Sequence, residues 1–521
     1  MQRIKQHWAK VAAAICFCVA VAFSLPAGAQ VTTAAVHGTV KDPTGAVIPG
    51  ATVTALNTST GISSTVTTNG SGYYIFTQLH IGGPYTISID KTGFKSFQST
   101  GLMLNLNDNR EIDARMALGT TSQTVQVTTS AVQVETSDTQ LKTLVSGSEI
   151  VEMPLLGRDA TELEKSAPGV VESSDRFGTF SADGNQTQTN SYLLDGADVN
   201  DAPLQQNGVT PSPDALAEFD VVTSTLNPEF SRNSGAIMNA AIKSGTNKFH
   251  GDAFEFYRDT FMNNGNYFSK VRPVFHQNLF GATLGGPIYK DHTFFFLSYQ
   301  GYRNRTAVTQ LTPVPATGEL SSGNFSNDTE PVTGDLDSTG LSSNAIPFAM
   351  QGPNGTCAAG TPWDQCFPVN AQGQVIIPTS NYNSIASALA NEYVPAPNQV
   401  IAGTSYYNFN PLSSAGDDQG IIRIDEQLTK QDELWASTIF ESNPTSSALP
   451  FDGADLNGFG EVNAAHTKIF NAAWTHTFNP NLLNDLHAGY YRFNFSAVNP
   501  ATVVQPSSLG FDITPQDAAA A

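Results

Sequence analysis

From Val31 onward, apolar and polar residues alternate in short runs, the pattern of strands with one buried face. Alternation is clear at Ala51, Val53 and Ala55 and at Tyr85, Ile87 and Ile89. Turn residues recur at Asp42-Pro43, Pro49-Gly50, Asn69-Gly70 and Gly82-Gly83-Pro84. This predicts a β-sandwich over residues 31–118, with Tyr73, Tyr74, Phe76 and Phe94 filling the space between its sheets. Residues 119–140 are rich in Thr, Ser and Val. Within them Thr124, Val125, Gln126, Val127 and Thr128 alternate between polar flanks. Such a segment is either an ordinary linker strand or one that adds to another protein's sheet edge. Residues 141–245 differ in texture: 148–153 and 160–166 suit helices, while 192–194, 219–222 and 236–243 suit strands. A compact α+β unit with Gly- and Asn-rich loops is expected there.

Beyond residue 245 the strands lengthen. Residues 293–302, 433–440, 467–478 and 486–495 are each near the roughly 9–11 residues that cross an outer membrane when tilted. Aromatics gather near their ends, as Tyr299 with Tyr302, and Tyr490, Tyr491, Phe493 and Phe495. A soluble sandwich shares this alternation. Residues 304–416 are poor in charge and too long for a turn, but suit an outward-facing barrel loop. The fold class expected is therefore mainly β: a β-sandwich of Ig-like or small-barrel type, an α+β domain, then the first part of a transmembrane antiparallel barrel over 246–521.

The N-terminus adds an address. Arg3, Lys5 and Lys10 precede an apolar stretch from Val11 to Leu25, and Ala27-Gly28-Ala29 supplies a small-residue cleavage site. Residues 1–29 thus read as a secretory signal cut after Ala29; the stretch is short for a spanning helix. No later apolar run approaches that length, so a membrane role requires a barrel. The chain carries 25 Lys+Arg against 46 Asp+Glu, a net charge of −21. Losing the signal's cations makes it more negative, which disfavours nucleic acid. Cys357 and Cys366 share a Gly/Pro/Asn-rich loop in an exported protein, where a local disulfide is the natural pairing. No His or further Cys lies nearby at metal-ligand spacing.

Two resemblances sharpen this reading. The run from Gly38 to Val53, with Gly72-Tyr73-Tyr74-Ile75-Phe76, Pro84-Tyr85-Thr86-Ile87 and Gly93-Phe94, resembles a carboxypeptidase-regulatory-like domain. That implies a transthyretin-like, carbohydrate-binding-like sandwich without peptidase activity. An ordered series of phrases is similar to the plug of TonB-dependent receptors, the Oar-like group in particular. It includes Met153-Pro154-Leu155-Leu156-Gly157-Arg158, then Leu194-Asp195-Gly196, then Glu218-Phe219-Asp220-Val221-Val222. Phe280-Gly281-Ala282 and Phe294-Phe295-Phe296 continue it. The resemblance implies an outer-membrane receptor and transporter that carries a siderophore, glycan or peptide through a plugged barrel. It implies outer-membrane lipid around the barrel, and a TonB-type energy-coupling protein in the periplasm gripping Thr124 to Thr128. Arg158 is expected to pair with barrel carboxylates and hold the plug.

No catalytic constellation is present: the sequence has no H-E-x-x-H, G-x-S-x-G or Walker-type loop, and no cofactor motif. Asp195, Asp198 and Asp201 have carboxylate spacing that suits calcium, but not that of an EF-hand loop, and a loop with several Asp is more often simply solvated. No metal is assigned. The residues after Gly245 leave room for about eight strands, whereas plugged transporters use 22. With no aromatic strand at Ala521, the expectation is the front part of a longer barrel. The alternative is a secreted or surface-attached carbohydrate-binding or adhesin-type protein.

Overall fold

The computed structural model describes residues 33–119, 124–128, 141–153, 155, 158–173, 180–201, 205–224, 234–265, 267, 272–324, 349–449, 460–479, 482–498 and 506–510. The signal residues Ala27 and Ala29, and Pro154 and Gly157 of the plug motif, lie outside them.

The first unit contains β1 (Ala34–Lys41), β2 (Thr52–Asn57), β3 (Ser63–Thr67), β4 (Tyr73–Leu79), β5 (Gly82–Asp90), β6 (Ser96–Leu104), β7 (Asn109–Glu111) and β8 (Ala114–Arg115). One sheet runs β4-β1-β7, with β8 also pairing β1, and the second runs β3-β2-β5-β6. Strict period-two burial on β1 puts Val36 and Val40 inside, where they meet Val53, Tyr74, Phe76, Ile87, Ile89 and Leu104. Tyr73 departs from expectation. Being adjacent to Tyr74 on one strand, it must face outward, and its ring lies 6.1 Å from that of His37. Gly38 permits a close approach: a Cβ would collide with the Ile112 carbonyl, which accepts a 2.7 Å hydrogen bond from Tyr74 Oη. A ninth strand, β9 (Thr124–Thr128), extends the second sheet by pairing parallel to β6, Phe97 opposite Val125.

The middle unit has a mixed sheet of β10 (Leu141–Ser146), β13 (Ser191–Leu194), β14 (Ala197–Asp198), β15 (Leu216–Ser224) and β16 (Ile237–Ile242), in the order β10-β15-β16-β13-β14. A hairpin of β11 (Val170–Glu172) and β12 (Phe180–Ala182) lies beside it. Every residue of the central β16 is buried, since both faces are covered. The helix Gly147–Glu152 begins with a capping box between Ser146 and Glu149. Residues Ala160–Ser166 form a 3-10 helix capped by Asp159, whose carboxylate accepts from Thr161 N at 2.9 Å.

Seven strands form the last sheet: β17 (His250–Asp259), β18 (Phe275–Tyr289), β19 (Thr293–Ala307), β25 (Leu412–Gln427), β26 (Asp432–Ser447), β27 (Glu461–Asn479) and β28 (Leu482–Val498). Each pairs antiparallel with its neighbour, and the described sheet is open between β17 and β28. The long loop is 308–411, not 304–416, because β19 and β25 extend into both of its ends. It carries β20 (Gln310–Pro313), β23 (Gln399–Ile401) and β24 (Thr404–Phe409) as one small sheet and β21 (Met350–Gly352) with β22 (Gly355–Cys357) as another. Cys357 and Cys366 are disulfide-bonded there beside Phe367 and Val375.

Connections alternate in length. Residues 290–292 and 428–431 turn tightly at one end, where β27 and β28 are also only two residues apart in sequence, while the connections 260–274, 308–411 and 448–460 join strands at the other. Short turns at one end and long loops at the other are the arrangement of outer-membrane barrels. The sheet's two faces differ as sharply. On β25, Ile421 is 1% exposed while Ile422 and Ile424 are 43% exposed. The outward face continues through Leu297, Leu434, Phe440, Phe470, Trp474, Leu486 and Tyr490, all exposed. A large contiguous apolar surface is costly in water and suits lipid.

Candidate functional site

The inward face of the sheet is built against the middle unit. Phe296, Ile421, Ile439 and Ile469 enter the same hydrophobic cluster as Leu163, Leu194, Val221 and Met238. Each such side chain is worth about 1.5–3 kcal/mol when buried. The middle unit therefore shares one core with the wall, as a plug does.

Polar contacts then fix its position. At the tip of the β13–β14 hairpin, Asp195 adopts a left-handed φ of 48°, followed by Gly196 at 77°. This turn aims the Asp195 carboxylate at the wall. Its Oδ1 accepts from Ile242 N at 3.0 Å and from Arg423 Nη1 at 3.2 Å, and its Oδ2 accepts from Ser437 Oγ at 3.0 Å. Arg423 also donates to Asp425 Oδ1 through Nε at 3.0 Å and Nη2 at 2.9 Å. Its guanidinium lies 4.8 Å from the centre of the Trp435 ring. Ser244 Oγ donates to Asp425 Oδ2 at 2.6 Å, so a plug residue holds the second carboxylate as well. The side chains of Asp195 and Arg423 are 1% and 9% exposed. In such burial the Coulomb attraction and the desolvation penalty nearly offset, so the pair chiefly specifies register; removing one partner strands the other charge.

Three further wall residues repeat the theme. Gln419 accepts from Ser212 N at 2.8 Å and donates to the Thr210 carbonyl at 2.8 Å. Thr467 Oγ1 donates to the Gly208 carbonyl at 3.2 Å, and Asn471 Nδ2 to the Leu194 carbonyl at 3.1 Å.

Of the residues singled out from sequence, Leu194, Asp195 and Gly196 lie at this junction. Leu155 packs half-buried on the plug core. Arg158 differs from expectation: Nη2 bonds Asp214 Oδ2, a plug carboxylate, at 2.6 Å. Its contact with the wall is aromatic, the guanidinium lying 4.6 Å from the Phe256 ring centre and 5.3 Å from that of Phe254. Asp198 and Asp201 do not join Asp195 as a ligand set among the described residues. Arg423, Asp425, Ser437 and Asn471 were missed. Their signal is faint but present: Ile422 and Ile424 alternate with Arg423 and Asp425, so a strand whose apolar face meets lipid must turn those charges inward.

The sandwich docks at the short-turn end. Gln78 Nε2 donates to Asp485 Oδ2 at 2.8 Å, and His80 meets Glu433. Asn247 Nδ2 bridges the Thr60 carbonyl and Asp291 Oδ1, both at 2.7 Å. Leu106 N donates to Glu218 Oε2 at 2.6 Å, and Lys142 Nζ to the Leu106 carbonyl at 2.6 Å. Burial pushes the Glu218 carboxyl up to about 7, against the Leu106 N–H, which favours its ionised form. Burial lowers the His80 pKa, but the Glu433 carboxylate more than offsets this and leaves it raised. A cavity of about 220 Å³ lies where sandwich, plug and wall meet, lined in part by His80, Tyr85, Lys243, Asp425 and Glu433.

Parts of this chain are similar to known proteins. Residues 241–520 match the outer membrane beta barrel domain, and residues 35–117 the carboxypeptidase regulatory-like domain. The chain is similar to the TonB-dependent transporter Oar of Myxococcus xanthus, 27% identical over 263 residues, covering 47% of this chain and 24% of that protein. Among solved structures, the ferric enterobactin receptor of Pseudomonas aeruginosa aligns over 70% of this chain and 47% of its own, at 10% identity and a TM-score of 0.34. The siderophore receptor PiuA from Acinetobacter baumannii aligns over 69% and 46%, at 11% identity and a TM-score of 0.35. The chain thus spans about a quarter of the length of the curated relative and about half of these receptors.

Proposed function

Because the chain belongs to the outer membrane beta barrel domain family and sits in the outer membrane, we propose that it serves a TonB-dependent receptor and transporter. A siderophore, glycan or peptide would bind on the long-loop side of the plug, and movement of the plug would open its path. The observation that carries this reading is the plug core shared with the inner face of a sheet whose outer face is apolar. An adhesin-type protein in water has no use for that outer face.

Residues Thr124 to Thr128 are the segment proposed to meet the periplasmic coupling protein. Strand β9 ends the sandwich sheet, so one of its edges pairs with β6 and the other has no strand beside it among the described residues. A partner strand added there gains main-chain hydrogen bonds without displacing β6. A cysteine placed at Val125 is expected to cross-link to a cysteine-bearing periplasmic domain of the coupling protein in outer-membrane preparations. Val125→Pro should abolish ligand uptake without changing abundance in the membrane. No adduct at Val125, together with uptake unaffected by the proline, would remove this segment from the mechanism.

A further inference from the structure

The outward apolar face ends abruptly towards the long loops on β27 and β28. Phe470 and Tyr490 face each other across these strands, both exposed. Two residues nearer the loops, Lys468 lies directly opposite Arg492, and beyond them His466 lies opposite Asn494. All four are exposed. Like charges at directly opposed positions have Cβ atoms about 4.5–5.5 Å apart and destabilise the pair. Neither cation has a carboxylate partner among the described residues. The nearest outward acid, Asp418, is already held by Arg303, whose Nη2 reaches both its carboxylate oxygens at 2.8 Å, and by Tyr299 Oη at 2.7 Å. Glu441 turns to the other side of the sheet, towards Gln419 and Asp417. A groove of about 450 Å³ runs over the two cations, bordered by Phe440, Ser442, His466 and Asn494, and by Asp418 and Glu441, whose carboxylates are engaged as described.

We infer that this groove binds the phosphate of a lipid headgroup in the outer leaflet. The cations mark the depth at which the wall changes from apolar to polar on its long-loop side, which is where outer-leaflet headgroups lie. The exposed Phe470 and Tyr490 beneath offer an acyl chain its apolar contact while the phosphate neutralises both cations. A lipid therefore matches the site better than a free anion, which would leave the aromatic floor in water.

The test uses the full chain in dodecyl maltoside micelles, with lipid adducts read by native mass spectrometry. The probes are didecanoyl phosphatidic acid, didecanoylglycerol and inorganic phosphate. The wild-type chain is expected to retain phosphatidic acid but not didecanoylglycerol. K468Q/R492Q should bind roughly thirtyfold more weakly, from about 1 kcal/mol per basic residue at an anionic headgroup, while K468R/R492K stays within about threefold of wild type. Heat-modifiable migration reports folding. Should the double variant lose it, K468Q and R492Q singly, each expected to weaken binding about fivefold, carry the test. Undiminished binding by folded glutamine variants overturns the site, as does equal retention of didecanoylglycerol. Displacement of the lipid by inorganic phosphate at matching concentration overturns the assignment to a lipid.

Discussion

The plug meets the barrel wall and the sandwich meets the barrel's short-turn end by opposite means. At the first junction a shared hydrophobic core is pinned by the buried Asp195–Arg423–Asp425 cluster. At the second, a few polar bonds from Gln78, His80 and Asn247 lie half-buried or around a cavity, with one buried bond from Leu106 to Glu218 of the plug. Apolar burial and stranded charges make the first hard to open in parts. Isolated polar bonds near water make the second easy to break one at a time. The barrel therefore holds its plug as part of itself and carries its sandwich as an attachment.

The comparison breaks most sharply at Arg423. Arg423→Ala leaves Asp195 and Asp425 buried without their cation, and a loss of about 3–5 kcal/mol is expected. Trypsin susceptibility of the plug and thermal melting of the full chain should both report it, and an unchanged melting temperature would mean the cluster does not hold the plug. The triple change Asp195→Asn, Asp425→Asn and Arg423→Met, which leaves no stranded charge, should lose much less than Arg423→Ala.

The sandwich junction should respond to pH in one direction. Glu218 has a pKa of about 7, raised above its ordinary 4.5. The stability it contributes is fully present below about 4.5 and lost as pH rises through about 7, up to about 3 kcal/mol. His80, also raised, contributes stability that is present below its ordinary value and lost above its folded one, so both groups loosen the sandwich as pH climbs. The protection factor of the Leu106 amide, which removes the intrinsic rise of exchange with pH, should fall between pH 5.5 and 8, and Glu218→Gln should flatten that dependence. Protection that rises over this window would reverse the sign. The smallest effect is expected from Gln78→Ala, about 1 kcal/mol or less, seen as faster proteolytic release of the sandwich with no change in plug protection.

Much of this architecture was visible in local pattern, and the remainder was not, for physical reasons. The sandwich strands showed because each alternates strictly over a one-sided core, as at Val36 and Val40 or Ile87 and Ile89. Strand β25 stayed hidden because Asp417, Asp418, Arg423 and Asp425 interrupt its alternation, and only the opposing plug explains two of those charges. The Leu194-Asp195-Gly196 turn was legible as a motif, but its partner lies 228 residues away, a separation no local pattern encodes. The sequence points Arg158 at a carboxylate on the wall because it shows the charge without its spatial neighbours. Asp214, on its own domain, was nearer, and the wall offered Phe254 and Phe256 instead.

Two tryptophans on adjacent strands test the central claim directly. Trp435 is 6% exposed, facing the plug over Arg423, while Trp474 is 38% exposed on the outward face. With the full chain inserted in bilayers of brominated phosphatidylcholine, and each tryptophan isolated by changing the others to Phe, fluorescence quenching separates the two faces. A lipid-facing wall around a buried plug predicts strong quenching of Trp474 and little of Trp435. Equal quenching of both, or none of Trp474, would contradict it.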